Sequence, residues 1–269
     1  MKKIIITFLI FSCNIMFSQN YLEGKNLYCK SDNPRAMELF NTGIETLHLN
    51  KSLDKKYLKM TADVFFRAYQ ADTTFCDAIF FVGYTKRLLD DKYALTFYYY
   101  ADSLANNKSI EFKTNLAAEA IRRGNEASFK IARRKYNELI EYFPESPEGY
   151  YGFAITSPFF NDTEKGLENI NIAIEKYKNV GSGLKSDVVF MKGILLSLNK
   201  KYSEGLEYLE KSYSSFKKEE NFKIHYSLCL LKVSEINNDD AMRKKALKIY
   251  EKIENKEEIP DDLKTLFKF

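Results

Sequence analysis

The chain has 269 residues, of which 45% are hydrophobic and 29% charged, and its formal net charge is +4. That balance is ordinary for a folded globular protein and excludes both intrinsic disorder and a bundle of membrane spans. The 5 prolines and 11 glycines are too few for the turns of a sheet protein. The 19 tyrosines and 21 phenylalanines come without a tryptophan.

Residues 1–18 read as a secretory signal peptide. Lys2 and Lys3 precede an apolar run, Ile4 to Phe11, broken only by Thr7, and the small Ser18 precedes Gln19. The run is shorter than the roughly 20 residues a membrane span needs. The chain is therefore expected to be exported, to the periplasm or the outside medium. Ile10-Phe11-Ser12-Cys13 offers an alternative, because it loosely resembles a lipoprotein cleavage box. Cys13 is then a candidate lipid anchor and the protein an outer-membrane lipoprotein. The bulk of Phe11 and the second apolar stretch up to Phe17 favour cleavage at Ser18.

A lead-in segment, residues 19–32, carries Cys29. With Cys76 and Cys229 it makes an odd set of three after ordinary cleavage. Cys29 and Cys76 are the candidate disulfide, and Cys229 falls where a buried small residue is expected. The sequence has no CxxC and hence no redox motif.

From residue 33 to 256 one layout recurs. A small residue in a first helix is followed by a small residue opening a second, with a large apolar residue four positions later. Gly193 leads to Gly205, Leu209 and Ser212; Gly83 to Ala94, Tyr98 and Ala101; Ala120 to Ala132, Tyr136 and Leu139, with Pro144 after the helix. Gly152 leads to Gly166, Ile170 and Ala173. Weaker copies begin at Gly43, with Thr61, Phe65 and Ala68, and at Cys229, with Ala246, Tyr250 and Ile253. Small residues let paired helices approach closely while the larger ones fill the interface. Ser146-Pro147-Glu148, Asp162-Thr163-Glu164 and Ser203-Glu204 supply helix starts.

The pattern resembles the tetratricopeptide repeat family, at a mean period of about 37 residues against the family's 34. The Gly193–Ser212 copy keeps the family spacing without insertion, and Ala120–Pro144 keeps it including the proline. The motif's tryptophan is absent throughout, and insertions interrupt several copies. The resemblance implies an all-α, right-handed solenoid of five or six helix-turn-helix repeats, closed by a capping segment, residues 257–269, through Leu263, Leu266 and Phe267.

Catalysis is not expected. His48 and His225 lack metal-ligating neighbours, and no phosphate loop, dinucleotide fingerprint or nucleophile elbow is present. No metal and no cofactor is called for. Arg122-Arg123 and Arg133-Arg134 are interleaved with Glu119, Glu126, Glu138 and Glu141, which reads as a mixed-charge surface and gives no sign of nucleic-acid binding.

The resemblance further implies that the first helices line a concave groove. Residues three before, one after and four after each small residue share one stripe of the helix. The expected partner-binding residues are thus Phe40, Phe80, Tyr84, Arg87, Phe153, Phe190 and Tyr226, with Tyr150 beside them. Aromatic stripes of this kind also serve as core, and the lead-in segment has the length to fold over part of the groove. The expected function is a non-catalytic scaffold binding a protein or peptide partner in an apolar groove. The alternative is a receptor for a small glycan or lipid.

Overall fold

A computed structural model of the chain describes residues 21, 23–49, 54–179, 181, 183–254, 256, 259 and 264. The signal segment, Cys13 and the capping residues Leu263, Leu266 and Phe267 lie outside the described residues. Among the described residues the chain forms twelve α-helices and no strand. They are α1 (Pro34–Leu49), α2 (Lys55–Ala71), α3 (Cys76–Leu88), α4 (Ala94–Ala105), α5 (Ile110–Arg123) and α6 (Glu126–Tyr142), then α7 (Pro147–Phe160), α8 (Thr163–Asn179), α9 (Ser186–Leu198), α10 (Tyr202–Phe216), α11 (Glu220–Asn237) and α12 (Asp240–Tyr250). Helices α1–α6 belong to one compact unit that ends at Phe143, and α7–α12 to a second that starts at Pro144.

Short polar signals set the helix starts. The side chains of Asp54, Ser109, Asn125, Ser146 and Asp239 each accept a backbone N–H from the first turn of the helix that follows. Such a cap satisfies one of the orphan donors at a helix N-terminus. Pro147 occupies the first turn of α7, where its missing N–H costs nothing. Stops are written in residues that tolerate the left-handed region: Asn106, Gly124, Asn161 and Asn238 have φ between 48° and 68°.

Pairing depends on contact between a small residue and a large one. A Cβ on Gly43 of α1 would lie 2.5 Å from the Phe65 ring of α2, and one on Gly83 of α3 would lie 2.9 Å from the Tyr98 ring of α4. In the second unit a Cβ on Gly193 of α9 would lie 2.8 Å from Leu209 of α10. Ala120, Ala132 and Leu139 are fully buried between α5 and α6. Within each unit the later first helices pack on the second helix of the preceding pair, α3 on α2 and α5 on α4 in the first, α9 on α8 and α11 on α10 in the second, and α9 also touches both α7 and α11. Flanked on several sides, the first helices are apolar nearly all round: nine of the 13 residues of α9 are buried. Second helices such as α6 and α8 bury one stripe and leave the rest to water.

The gap-filling role of the glycines is open to direct test. Gly83→Ala should destabilise the protein by about 1–3 kcal/mol, because the Tyr98 ring and backbone leave no room for a methyl group. Gly183→Ala, with nothing within 4 Å, should be neutral in the same denaturant titration.

Candidate functional site

The first helices of the first unit are covered by their own chain. Tyr21 and residues 23–33 lie across α1, α3 and α5 as a strap. The Tyr21 ring is buried against Phe81 at 5.5 Å, Phe80 at 5.6 Å and Phe112 at 6.1 Å between centroids. Phe80 and Phe112 themselves stack at 4.4 Å, so Tyr21 completes an aromatic socket shared by α3 and α5. Gly24, at φ 73°, turns the strap beside Phe40 and Ile44 of α1, where a Cβ would lie 3.3 and 3.1 Å from their atoms. Tyr28 packs edge-on against Phe112 at 5.4 Å and donates its hydroxyl to Glu111.

Asp77 is the polar anchor of this arrangement. It lies fully buried in the first turn of α3, where the helix dipole favours an anion. Its Oδ1 accepts the Tyr21 hydroxyl at 2.8 Å and the Tyr28 N–H at 3.1 Å, and its Oδ2 accepts the Cys29 N–H at 2.7 Å. Burial raises the carboxyl above its ordinary range, against these donors, which pull it down. Next to it Cys29 and Cys76 form a disulfide with 5.4 Å between Cα atoms. The two sulfurs and the Asp77 carboxylate lie within 4.8 Å of one another, but bonded sulfurs offer no thiolate to a metal. Ser31 donates to Asp72 at the turn after α2 and closes the strap.

Four of the eight expected groove residues are closed off by this packing. Phe40 and Phe80 are fully buried beneath the strap, together with Phe65 and Phe75. Phe190 stacks on Phe216 at 4.4 Å and meets Phe222 at 5.7 Å, because α10 and α11 bring both rings over α9. Tyr226 packs on Phe222 at 5.1 Å and receives a hydrogen bond from Lys245 at 2.7 Å. All four serve as core. Tyr84, Arg87, Tyr150 and Phe153 remain partly exposed. Sequence reading did not single out Tyr21, Tyr28, Asp77 or Phe112. One signal was present: a lone acid opening the apolar run Cys76–Gly83 needs buried donors to face it.

Two charge clusters correct the expected mixed-charge surface. Glu119 of α5 is fully buried, and Arg122 grips it with two bonds of 2.8 Å while Arg123 and Arg87 approach from either side. Lys113 of α5 is also buried. It and Lys135 of α6 share Asp102 of α4 and Glu138 of α6 at 2.6–3.1 Å, so that two cations and two anions alternate. Each charge is met by opposite ones, which makes the set structural.

In the second unit His225 and Cys229 of α11 lie near Ser197 of α9, with His225 Nδ1 3.1 Å from Ser197 Oγ. Burial lowers His225 to about 4 and pushes the Cys229 thiol up to about 12. An activated nucleophile requires the thiol shift to be downward. A cleft of about 460 Å³ between the α7–α8 and α9–α10 turns is lined by Asn161, Asp162, Thr163, Lys165, Asn199 and Lys200 among others, without an aromatic ring. It lacks the apolar lining a lipid site needs and the stacking platform a glycan site uses.

Asp77→Asn should weaken the strap, since an amide nitrogen must then face an N–H or O–H donor. A loss of about 1–3 kcal/mol is expected by denaturant titration, with faster hydrogen exchange at Tyr28 and Cys29. His225 gives a pH effect of defined sign. Its folded pKa lies below the ordinary 6.5, so the unfolded chain binds the proton first. Its contribution to stability is intact above pH 6.5 and falls away between 6.5 and about 4. The melting temperature of His225→Leu should vary less with pH across that window than that of the unaltered protein.

No family model matches the chain, and no curated protein matches it in sequence. Solved structures do. PilF of Pseudomonas aeruginosa aligns with a TM-score of 0.61 at 11% identity, over 86% of this chain and 97% of its own. A chain of the APC/C hetero-tetramer Cut9–Hcn1 aligns at 0.60 and 14% identity over 87% of this chain, which spans only 43% of that one. YrrB, described as a TPR protein with an unusual peptide-binding site, aligns at 0.54 and 12% identity, over 76% of this chain and 99% of its own. With the twelve paired helices, these likenesses establish the fold: all-α helix-turn-helix repeats of the tetratricopeptide type.

Proposed function

We propose that the chain is an exported, non-catalytic scaffold that binds a segment of another protein on its first helices. One observation carries the reading. The face formed by α1, α3 and α5 already holds a segment of its own chain, by aromatic rings in a socket and by main-chain N–H groups on a buried carboxylate. A surface that binds its own chain in this way has the chemistry to bind another. The peptide-binding site named for YrrB supports the same use of the fold. The Cys29–Cys76 bond supports export, because disulfides persist in oxidising compartments. No helix among the described residues is long and apolar enough to cross a membrane.

Tyr84 and Arg87 lie on α3 beside the strap, partly exposed, and are the residues a partner would reach. Replacing Tyr84 with serine, and leaving Arg87 in place against buried Glu119, should reduce partner capture from envelope extract at least tenfold, with the helical circular-dichroism signal unchanged. A competing surface exists on the second helices, where Phe97, Tyr100 and Leu104 share one stripe of α4 that Tyr93 continues at its N-cap, and Phe66 of α2 adjoins Phe97. Tyr93→Ser/Tyr100→Ser should leave capture intact. The opposite result, capture lost with that pair and kept with Tyr84→Ser, would move the binding surface to the outward stripe.

A further inference from the structure

The strap is held in ways that differ in reversibility. The rings of Tyr21 and Tyr28 and the hydrogen bonds to Asp77 and Glu111 are non-covalent and exchange with equivalent groups from elsewhere. The Cys29–Cys76 bond does not. It sits between the two tyrosines and the start of α1, so while it lasts Tyr28 cannot leave Phe112 by more than a residue's reach. Cys29 is half-buried whereas Cys76 is fully buried, so of the two Cys29 is the residue a reductant reaches first.

We infer that Tyr21 and residues 23–31 are a displaceable self-ligand, locked by the Cys29–Cys76 disulfide, and that reduction opens the Phe80–Phe81–Phe112 socket to a tyrosine-bearing segment of a partner protein. The occupant's chemistry is specified by what is there now. The socket takes a planar ring stacked on Phe81 and edge-to-face with Phe80 and Phe112, and Asp77 beyond it requires a hydroxyl donor, which tyrosine supplies and phenylalanine lacks. Beside it the carboxylate takes two main-chain N–H groups, so the incoming segment must present its backbone alongside the ring. The inference rests on the reading of this face as a protein-binding surface.

The opening step needs a dithiol reductant. One of its thiolates attacks Cys29 Sγ, the Cys29–Cys76 bond breaks, and Cys76 leaves as a thiolate that takes up a proton. The reductant's second thiolate then displaces Cys29, which is protonated in turn. Two electrons and two protons pass to the protein, and the dithiol ends as a cyclic disulfide. In an oxidising compartment the lock stays closed. After reduction the strap remains tethered through α1, so it competes with a partner at a millimolar effective concentration instead of excluding it.

The test uses the full chain and a synthetic peptide of its own residues 21–32, with serine in place of Cys29 and a fluorophore at the C-terminal end. Oxidised protein should not bind it. Dithiothreitol-treated protein and the Cys29→Ser/Cys76→Ser variant should bind at least tenfold more tightly, and Tyr21→Ala in the reduced protein should tighten binding further by emptying the socket. Peptide in which Tyr21 is replaced by Phe should bind at least tenfold more weakly than the parent. Amide exchange at Tyr28 and Cys29 should speed up at least tenfold on reduction, while that of α9 is unchanged. Equal peptide binding in both redox states, unchanged exchange at those amides, or loss of the helical signal on reduction would each overturn the inference. Partner capture that persists with no peptide uptake by the reduced protein would remove the self-ligand and leave the scaffold. Peptide uptake without any captured partner would do the reverse.

Discussion

Close approach between a glycine or alanine on one helix and a ring or branched chain on its partner is the constraint from which the rest follows. Where Gly43 meets Phe65 or Gly83 meets Tyr98, the second helix delivers its large side chain straight into the first helix's backbone. The second helix thereby satisfies its single apolar stripe and turns its other side to water. The first helix does not. It has neighbours along the chain on both sides and still carries apolar residues on the remaining face. That face must be covered, and each unit covers it with its own residues: the strap over α1, α3 and α5, and Phe216, Phe222 and Tyr226 around Phe190 on α9.

This explains which parts of the molecule were legible in the sequence. The paired helices were, because small and large residues at fixed offsets encode a local contact, and Gly83 with Tyr98 or Gly193 with Leu209 meet as that spacing requires. The helix start at Ser146-Pro147 was legible for the same reason: capping is a matter of two to four residues. The groove was not. Phe40 and Phe80 occupy the stripe that helical geometry assigns them, but whether a stripe faces solvent or chain depends on a segment elsewhere in the sequence. Periodicity carries no information on that. Glu119 was misread similarly: its arginines three and four positions on are local, but its burial depends on packing against the helix that brings Arg87 to it.

The buried polar groups divide by the kind of partner they have. Glu119 faces guanidinium groups, and Asp102 and Glu138 face ammonium groups, so those carboxylates are neutralised by full charges. Asp77 is met instead by a hydroxyl and two amides, all from the strap. Removing the strap would take away all three of these donors and leave the carboxylate with the α3 N-terminus as its remaining protein partner. The acid thus couples the position of the strap to the integrity of α3: the socket is tolerable only when something with the right donors fills it.

The bond between Cys29 and Cys76 also has a topological meaning. With the intervening backbone it closes a ring that contains the whole of α1 and α2. A protease that cuts once anywhere between the two cysteines leaves both fragments attached, so the first helix pair cannot be shed by a single nick. On a non-reducing gel such a nicked chain would run as one species, and it would part into two only when a thiol is added.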